Sequence, residues 1–293
     1  MERKFIRVGI RELPAPRLQK SPWYRGKPWV SIIALVLVVL SCLLCDLFIP
    51  KDPSYMDLSH YNTAPGKDFW FGTDSMGRDI FSMIFYGGRV SLTIGLLSTL
   101  ISTAIAVLFG TVSGLAPRWL DELLMRLTEI FLSIPSLLLI VLVQAILGKA
   151  NVLSISLVIG LTSWTGIAKV VRTEVRQIRS SEYVVAAKAM GAGFFRVLVK
   201  HLAPNFISSI MFMVVMNVRG AMVAESTLSF MGLGLPLEVI SWGSMLSLAE
   251  KGLLSGAWWM VLIPGVFLVA TLLCVTELGN FLRRSANRKE SNL

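Results

Sequence analysis

An all-α, polytopic membrane protein with about six transmembrane helices is the fold class that three observations predict. The chain is 54% hydrophobic and only 16% charged, whereas a soluble domain carries about a quarter charged residues. Its mean hydropathy is +0.68. Apolar runs of about 20 residues recur along the whole chain, each long enough to cross a hydrocarbon core of about 30 Å at about 1.5 Å per residue. A soluble core buries one or two such helices; a succession of them needs an apolar solvent.

Residues 1–28 form a basic tail that carries Arg3, Lys4, Arg7, Arg11, Arg17, Lys20, Arg25 and Lys27 and is broken by Pro14, Pro16, Pro22 and Pro28. Residues 29–49 are the first span. A basic stretch before an apolar one is also the plan of a signal peptide, but this run ends in Ile49, Pro50, Lys51 and Asp52 with no small-residue cleavage site, so it reads as a retained anchor. Residues 50–88 are a polar external segment with Asp52, Asp57, Asp68, Asp74 and Asp79. Residues 89–282 hold five further spans, at 90–115, 123–147, 152–171, 206–231 and 258–282, around a polar loop at 173–205. Residues 283–293 close the chain as a short basic tail. Gly110, Gly114, Pro135, Gly160 and Pro264 lie inside spans, where neighbouring helices satisfy freed backbone groups, and they permit bends.

Orientation follows from the distribution of Lys and Arg. With the N-terminal tail inside and the spans alternating, 21 of the 28 basic residues fall on the inner face, which makes both termini and the 173–205 loop cytoplasmic. The net charge of +10 is thus a topology signal rather than a nucleic-acid footprint, because the basic residues flank spans instead of forming a polar module. Cys42, Cys45 and Cys274 all lie in apolar runs and read as packing residues. The first two form a CxxC, yet no second pair or nearby His completes a zinc site.

The 173–205 loop is too polar to cross the membrane and too patterned for a slack linker. Ser180 or Ser181 can cap a helix whose first turn carries Glu182, where a negative charge meets the positive end of the dipole. Gly191 can end it in the left-handed conformation. The stretch between has a small-residue face that lets another protein approach its backbone closely. Beyond it, Phe195, Leu198, Val199 and Leu202 repeat at helical spacing with Arg196 and Lys200 on another face, an amphipathic helix stopped by Pro204. From the residues alone, this pair is either a docking surface or a connector between two spans.

EYVVAAKAMG at 182–191, followed by HLAP at 201–204, resembles the EAA loop of ATP-driven, ABC-type importer permeases. In that family the loop is a coupling helix seated in a groove of the ATPase subunit. The resemblance implies an ATPase-coupling role for Glu182, Val185, Ala186, Ala187, Gly191, Ala192 and Pro204. Val185 stands where the family has its name-giving Glu, and Ala203 where Leu is usual; docking by shape survives this, whereas a salt bridge from position 185 does not. FGTDSMGRDIFS at 71–82 with GRVSL at 88–92 is similar to the signature after the first span in C-type permeases of the peptide and nickel uptake class. LSFMGLG at 228–234 and SWGSML at 241–246 resemble the end of the fifth span and the outer segment after it. Residues 258–284 resemble the final span, with Asn280 and Arg284 replacing the usual aspartates.

The likeness covers nearly everything after residue 50 and implies a type I ABC importer permease fold in a bacterial or archaeal inner membrane. It also implies a non-catalytic subunit that forms half of a translocation path for peptides, with nickel or a metal chelate as the alternative cargo. The implied partners are a second homologous permease, two ATPase subunits and an external solute-binding protein, besides the lipid membrane. No GxxxxGK[ST] phosphate loop occurs, and only His60 and His201 supply imidazole. No cofactor or metal is therefore expected on this chain, ATP and Mg belonging to the partner ATPases.

Two ionisable residues inside the fifth span need an explanation, because charges there normally face a partner or an aqueous cavity. Arg219 and Glu225 are six positions apart, on different faces of one helix at about 100° per residue, so a direct mutual pair is not expected. Both are candidates for the translocation path, with a structural contact as the competing role for Glu225. The segment from Gly72 to Asp79 is either a turn cluster that caps the next helix or a ligand contact, and its carboxylate spacing does not fit a calcium loop. An independent secondary transporter is the rival function class. It would need inverted repeats or broken-helix ion sites, and the sequence has no internal repeat.

Overall fold

The computed structural model describes residues 28–49, 52–197, 203–236, 238–253 and 255–290. Within them the regular elements are all helices, with one isolated bridge between Thr73 and Asp79. The elements are α1 (Trp29–Leu43), α2 (Cys45–Phe48), a 3-10 turn (Leu58–His60), α3 (Ile80–Leu115), α4 (Arg118–Ser133), α5 (Ser136–Leu147), α6 (Val152–Thr162), α7 (Thr165–Ile178), α8 (Glu182–Ala189), α9 (Phe194–Val197), α10 (Ala203–Phe230), α11 (Trp242–Leu253) and α12 (Trp259–Glu290). The expected basic tail, and Leu198, Val199, Lys200, His201 and Leu202 of the expected amphipathic helix, lie outside the described residues.

Three helices, α3, α10 and α12, are long and apolar enough to cross a membrane unaided. Two expected spans are instead bent pairs: α4 and α5 meet at 95°, and α6 and α7 at 46°. The first break falls at Ile134 and Pro135, where a proline excludes the helical conformation from the residue before it. The first expected span is α1, 15 residues long and shorter than the others, extended by α2. Leu37, Leu40, Leu96, Leu100 and Leu273 are exposed along α1, α3 and α12, as bilayer-facing surfaces require.

α3 begins ten residues before the expected span because Asp79 caps it, accepting from the Ser82 N–H at 3.2 Å and the Ser82 hydroxyl at 2.6 Å. It then runs unbroken through the middle of the bundle against α6, α7 and α10. Gly110 and Gly114, two of the three glycines read as permitting bends, do something else: they let α7 approach. A Cβ on Gly110 would lie 2.6 Å from the Ala168 carbonyl oxygen, and one on Gly114 2.7 Å from Val175 Cγ1. Small residues at crossings let membrane helices gain van der Waals contact that larger ones would prevent.

Before α3, the segment 52–79 folds back on the ends of α11 and α12. Asp74 and Arg78 form a buried ion pair at 2.7 Å, and Asp74 also accepts from the backbone N–H groups of Met76 and Arg78. The Trp259 indole donates to the Thr73 carbonyl at 3.1 Å, and Asn62 to the Ser255 hydroxyl at 2.8 Å. The carboxylates of Asp74 and Asp79 are thus engaged within the chain, one in a turn and the other in a helix cap. That is the turn-and-cap alternative weighed for Gly72 to Asp79.

Candidate functional site

At the opposite end of the bundle, α7 passes into α8 through only Arg179, Ser180 and Ser181. Ser181 starts α8 through its backbone, its carbonyl accepting from the Val184 and Val185 N–H groups, while its hydroxyl turns back to donate to the Ile178 carbonyl at 2.6 Å. Gly191 takes φ +81°, and the Ala192 N–H donates to the Ala187 carbonyl. This six-to-one bond closes a helix end that only a residue comfortable in the left-handed region can make.

The expected coupling residues separate into two groups. Val184 and Ala187 are buried, with Val184 joining Val175, Val197 and Phe206 in one apolar cluster. Glu182, Val185, Ala186, Ala189 and Met190 are exposed. Ala187 therefore holds α8 to its own chain, whereas Val185 and Ala186 are available to a partner. Pro204 falls in the first turn of α10, where its missing N–H leaves no intrahelical bond unmade.

Arg219 is exposed on α10, about 24 Å along the helix from Ala203 at about 1.5 Å per residue. It lies on a groove of about 480 Å³ lined also by Met213, Met216, Asn217, Ser163 and Gly166, at the break between α6 and α7. Among the described residues no acidic group pairs with it. Glu225 does not share this groove. It is fully buried and accepts from four serine hydroxyls: Ser241 at 2.7 Å, Ser229 at 3.0 Å, Ser91 at 3.3 Å and Ser226 at 3.4 Å. Ser91 and Ser241 also accept from the Trp242 and Ser244 N–H groups. The carboxylate thereby joins α3, α10 and the start of α11.

The chain is thus a polytopic helical bundle with a capped, partly exposed short helix between its bent fourth span and its long fifth. The family model of the binding-protein-dependent transport system inner membrane component matches residues 106–288. The chain belongs to this family. This permease is 34% identical over 273 residues to the dipeptide transport system permease protein DppC of Bacillus subtilis (strain 168), covering 93% of this chain and 84% of that one. It is 34% identical to the oligopeptide transport system permease protein OppC of the same organism, covering 89% and 85%. Against OppC of Haemophilus influenzae it is 32% identical, covering 92% and 88%. It is accordingly an OppC/DppC-like ABC permease and an integral inner membrane protein. A chain of the MetNI methionine ABC transporter in an inward-facing form shares its fold, with a TM-score of 0.54 at 16% identity over 70% of this permease and 96% of that chain.

Sequence reasoning missed one cluster at the α8 end of the permease. Asp121, in the first turn of α4, is 3% exposed. It accepts from Arg172 through Nε at 2.5 Å and Nη2 at 2.6 Å, from Arg176 at 2.8 Å and from the Ser113 hydroxyl at 2.6 Å. Asp121 precedes Leu123, where the apolar run of the expected span begins. Donation by Arg172 is the main reason its carboxyl is held down at about 2 from an ordinary 3.8; burial opposes the shift, and Ser113 and the charges of Arg172 and Arg176 reinforce it. The available signal was an acid in a strongly basic inner region facing two arginines one helical turn apart, which counting charges for topology concealed.

Proposed function

We propose that this permease forms half of the translocation path of an ATP-driven peptide importer and takes its energy from separate ATPase subunits that dock on α8. A second homologous permease completes the path, two ATPase subunits supply ATP and Mg, and an external solute-binding protein delivers cargo. The α8 end and both termini face the cytoplasm in this reading, in line with the distribution of Lys and Arg. The observation that carries it is α8 itself: a helix fixed on one side by Val184 and Ala187 and closed by Gly191, with Val185 and Ala186 exposed. Such an element is rigid enough to transmit a push and small enough to seat in a groove. The peptide names of its relatives favour peptide over nickel or a chelate.

Arg219 lines the path in this reading, because an unpaired cation deep in a span is tolerated where water or an anionic group reaches it. Glu225, enclosed by serines, pins α11 instead of meeting cargo. Ala186→Glu tests the docking assignment, since the side chain is exposed and the change leaves the inner face of α8 intact. Capture of the ATPase subunits on the purified permease pair should fall by about tenfold or more, the equivalent of about 1.4 kcal/mol, with normal membrane insertion. Unchanged capture would remove α8 from the interface.

A further inference from the structure

Of the sixteen residues of α4, only Asp121 and Thr128 are buried. The helix therefore has little apolar grip on its own chain, and its firmest attachment to α7 is the set of charge-assisted bonds from Arg172 and Arg176 to Asp121. Bidentate pairing of this kind fixes orientation as well as distance. Both arginines sit in the second half of α7, within two turns of the junction with α8.

That junction has no slack. The Arg179 N–H donates to the Val175 carbonyl, the Ser181 N–H to Ile178 and the Val185 N–H to Ser181, so backbone hydrogen bonds run on from α7 into α8. The Arg179 guanidinium also donates to the Gly114 carbonyl at the end of α3. On the far side of Asp121, α4 leads to the 95° elbow with α5. A displacement of α8 must carry the end of α7 with it, and Asp121 is where that displacement meets α4.

We propose that Asp121 is a positioning residue through which movement of α8 reaches the α4–α5 elbow, making α4 a moving part of the path rather than a passive lip. The inference rests on α8 as the ATPase dock. It adds a specific route, from α8 through Arg172 and Arg176 to Asp121, and predicts that the route can be cut while the dock stays intact.

The test uses the complete transporter in liposomes, with this chain carrying spin labels at Leu123 on α4 and Leu273 on α12. The distance between them is measured by electron–electron double resonance with and without trapped ATP. In the otherwise unaltered chain trapping should shift the distance. Asp121→Asn should abolish the shift while the ATPases remain bound and hydrolyse ATP, raising ATP consumed per transport event by about tenfold, within the usual range of coupling between sites. The charge exchange Asp121→Arg with Arg172→Asp should restore the shift at least in part. A full shift in Asp121→Asn, no shift in the unaltered chain, or failure of Asp121→Asn to assemble would each overturn the proposal, the last by making the carboxylate a folding element. Failure of the dock itself reads out separately, as ATPase capture that survives Ala186→Glu.

Discussion

The two ends of this bundle are built on opposite plans. At the end formed by residues 52–79, polar groups are paired within the chain: Asp74 with Arg78, Trp259 with Thr73, Asn62 with Ser255 and Glu225 with four serines. At the α8 end, two short helices leave Val185 and Met190 exposed, and one charged cluster at Asp121 ties α4 to α7. The first end holds its shape by itself. The second leaves apolar side chains exposed and joins two helices through charges, the arrangement on which the proposed docking role of α8 rests.

The two buried carboxylates express the same contrast. Asp121 is held by cations from another helix, so its removal leaves guanidinium groups without their counter-charge. Glu225 is held by neutral hydroxyls, three of which, on Ser91, Ser229 and Ser241, also accept from backbone N–H groups. Uncharged donors can satisfy a carboxylate without importing a second ion into the apolar region, where each ion is costly.

The comparison can be broken most decisively at Asp74. Replacing it by Ala leaves Arg78 buried without its partner, a loss of about 3–5 kcal/mol for a buried pair. The thermal midpoint of the purified permease in detergent should fall and its yield drop. A midpoint near that of the unaltered chain would mean that the Asp74 end is not a self-sufficient scaffold.

A smaller effect is expected at Arg219. Arg219→Gln keeps polarity and removes charge, so uptake of a peptide with a net negative charge should fall several-fold, about 1 kcal/mol for a lost exposed charge–charge contact, with the amount of assembled complex unchanged. Equal uptake of acidic and neutral peptides by both forms would reject a path role, and failed assembly would make Arg219 a contact to the partner permease.

The smallest effect should come from pH. A carboxyl whose folded value is lowered contributes stability that is present above its ordinary 3.8 and lost as pH falls toward about 2. The Asp121 cluster, with Arg172, Arg176 and Ser113 facing it, should therefore hold unchanged between about pH 5 and pH 9. A coupling ratio that titrated in that interval, and lost its titration in Asp121→Asn, would show that the carboxyl is not held low.

Much of the fold was legible because its signals are local. Apolar runs marked the spans, Gly191 marked the end of α8, and a cap for the next helix was one of two readings of the turn cluster ending at Asp79. Each depends on residues within a few positions of one another, whose spacing the chain carries openly, although the reading of the turn cluster stayed open and the second span was expected ten residues later than α3 begins. Other features lay beyond that reach. The sequence permitted a bend at Pro135 but did not say that it would be 95°, because that angle depends on what the two halves pack against.

What the sequence by itself determined was the membrane class, the run of spans and the identity of the loop that carries α8. Tertiary structure alone decided that Ala187 faces inward while Ala186 faces out, that Gly110 and Gly114 are sites of close approach to α7, and that Ser91 reaches Glu225 across 134 positions. It also turned Arg172 and Arg176, which sequence reading could count only as inner-face charges, into the partners of Asp121, 51 and 55 positions away. Periodicity tells which face of a helix is apolar, but a charge or a small residue acquires its role from the neighbouring helix, and chain distance does not say which helix that will be.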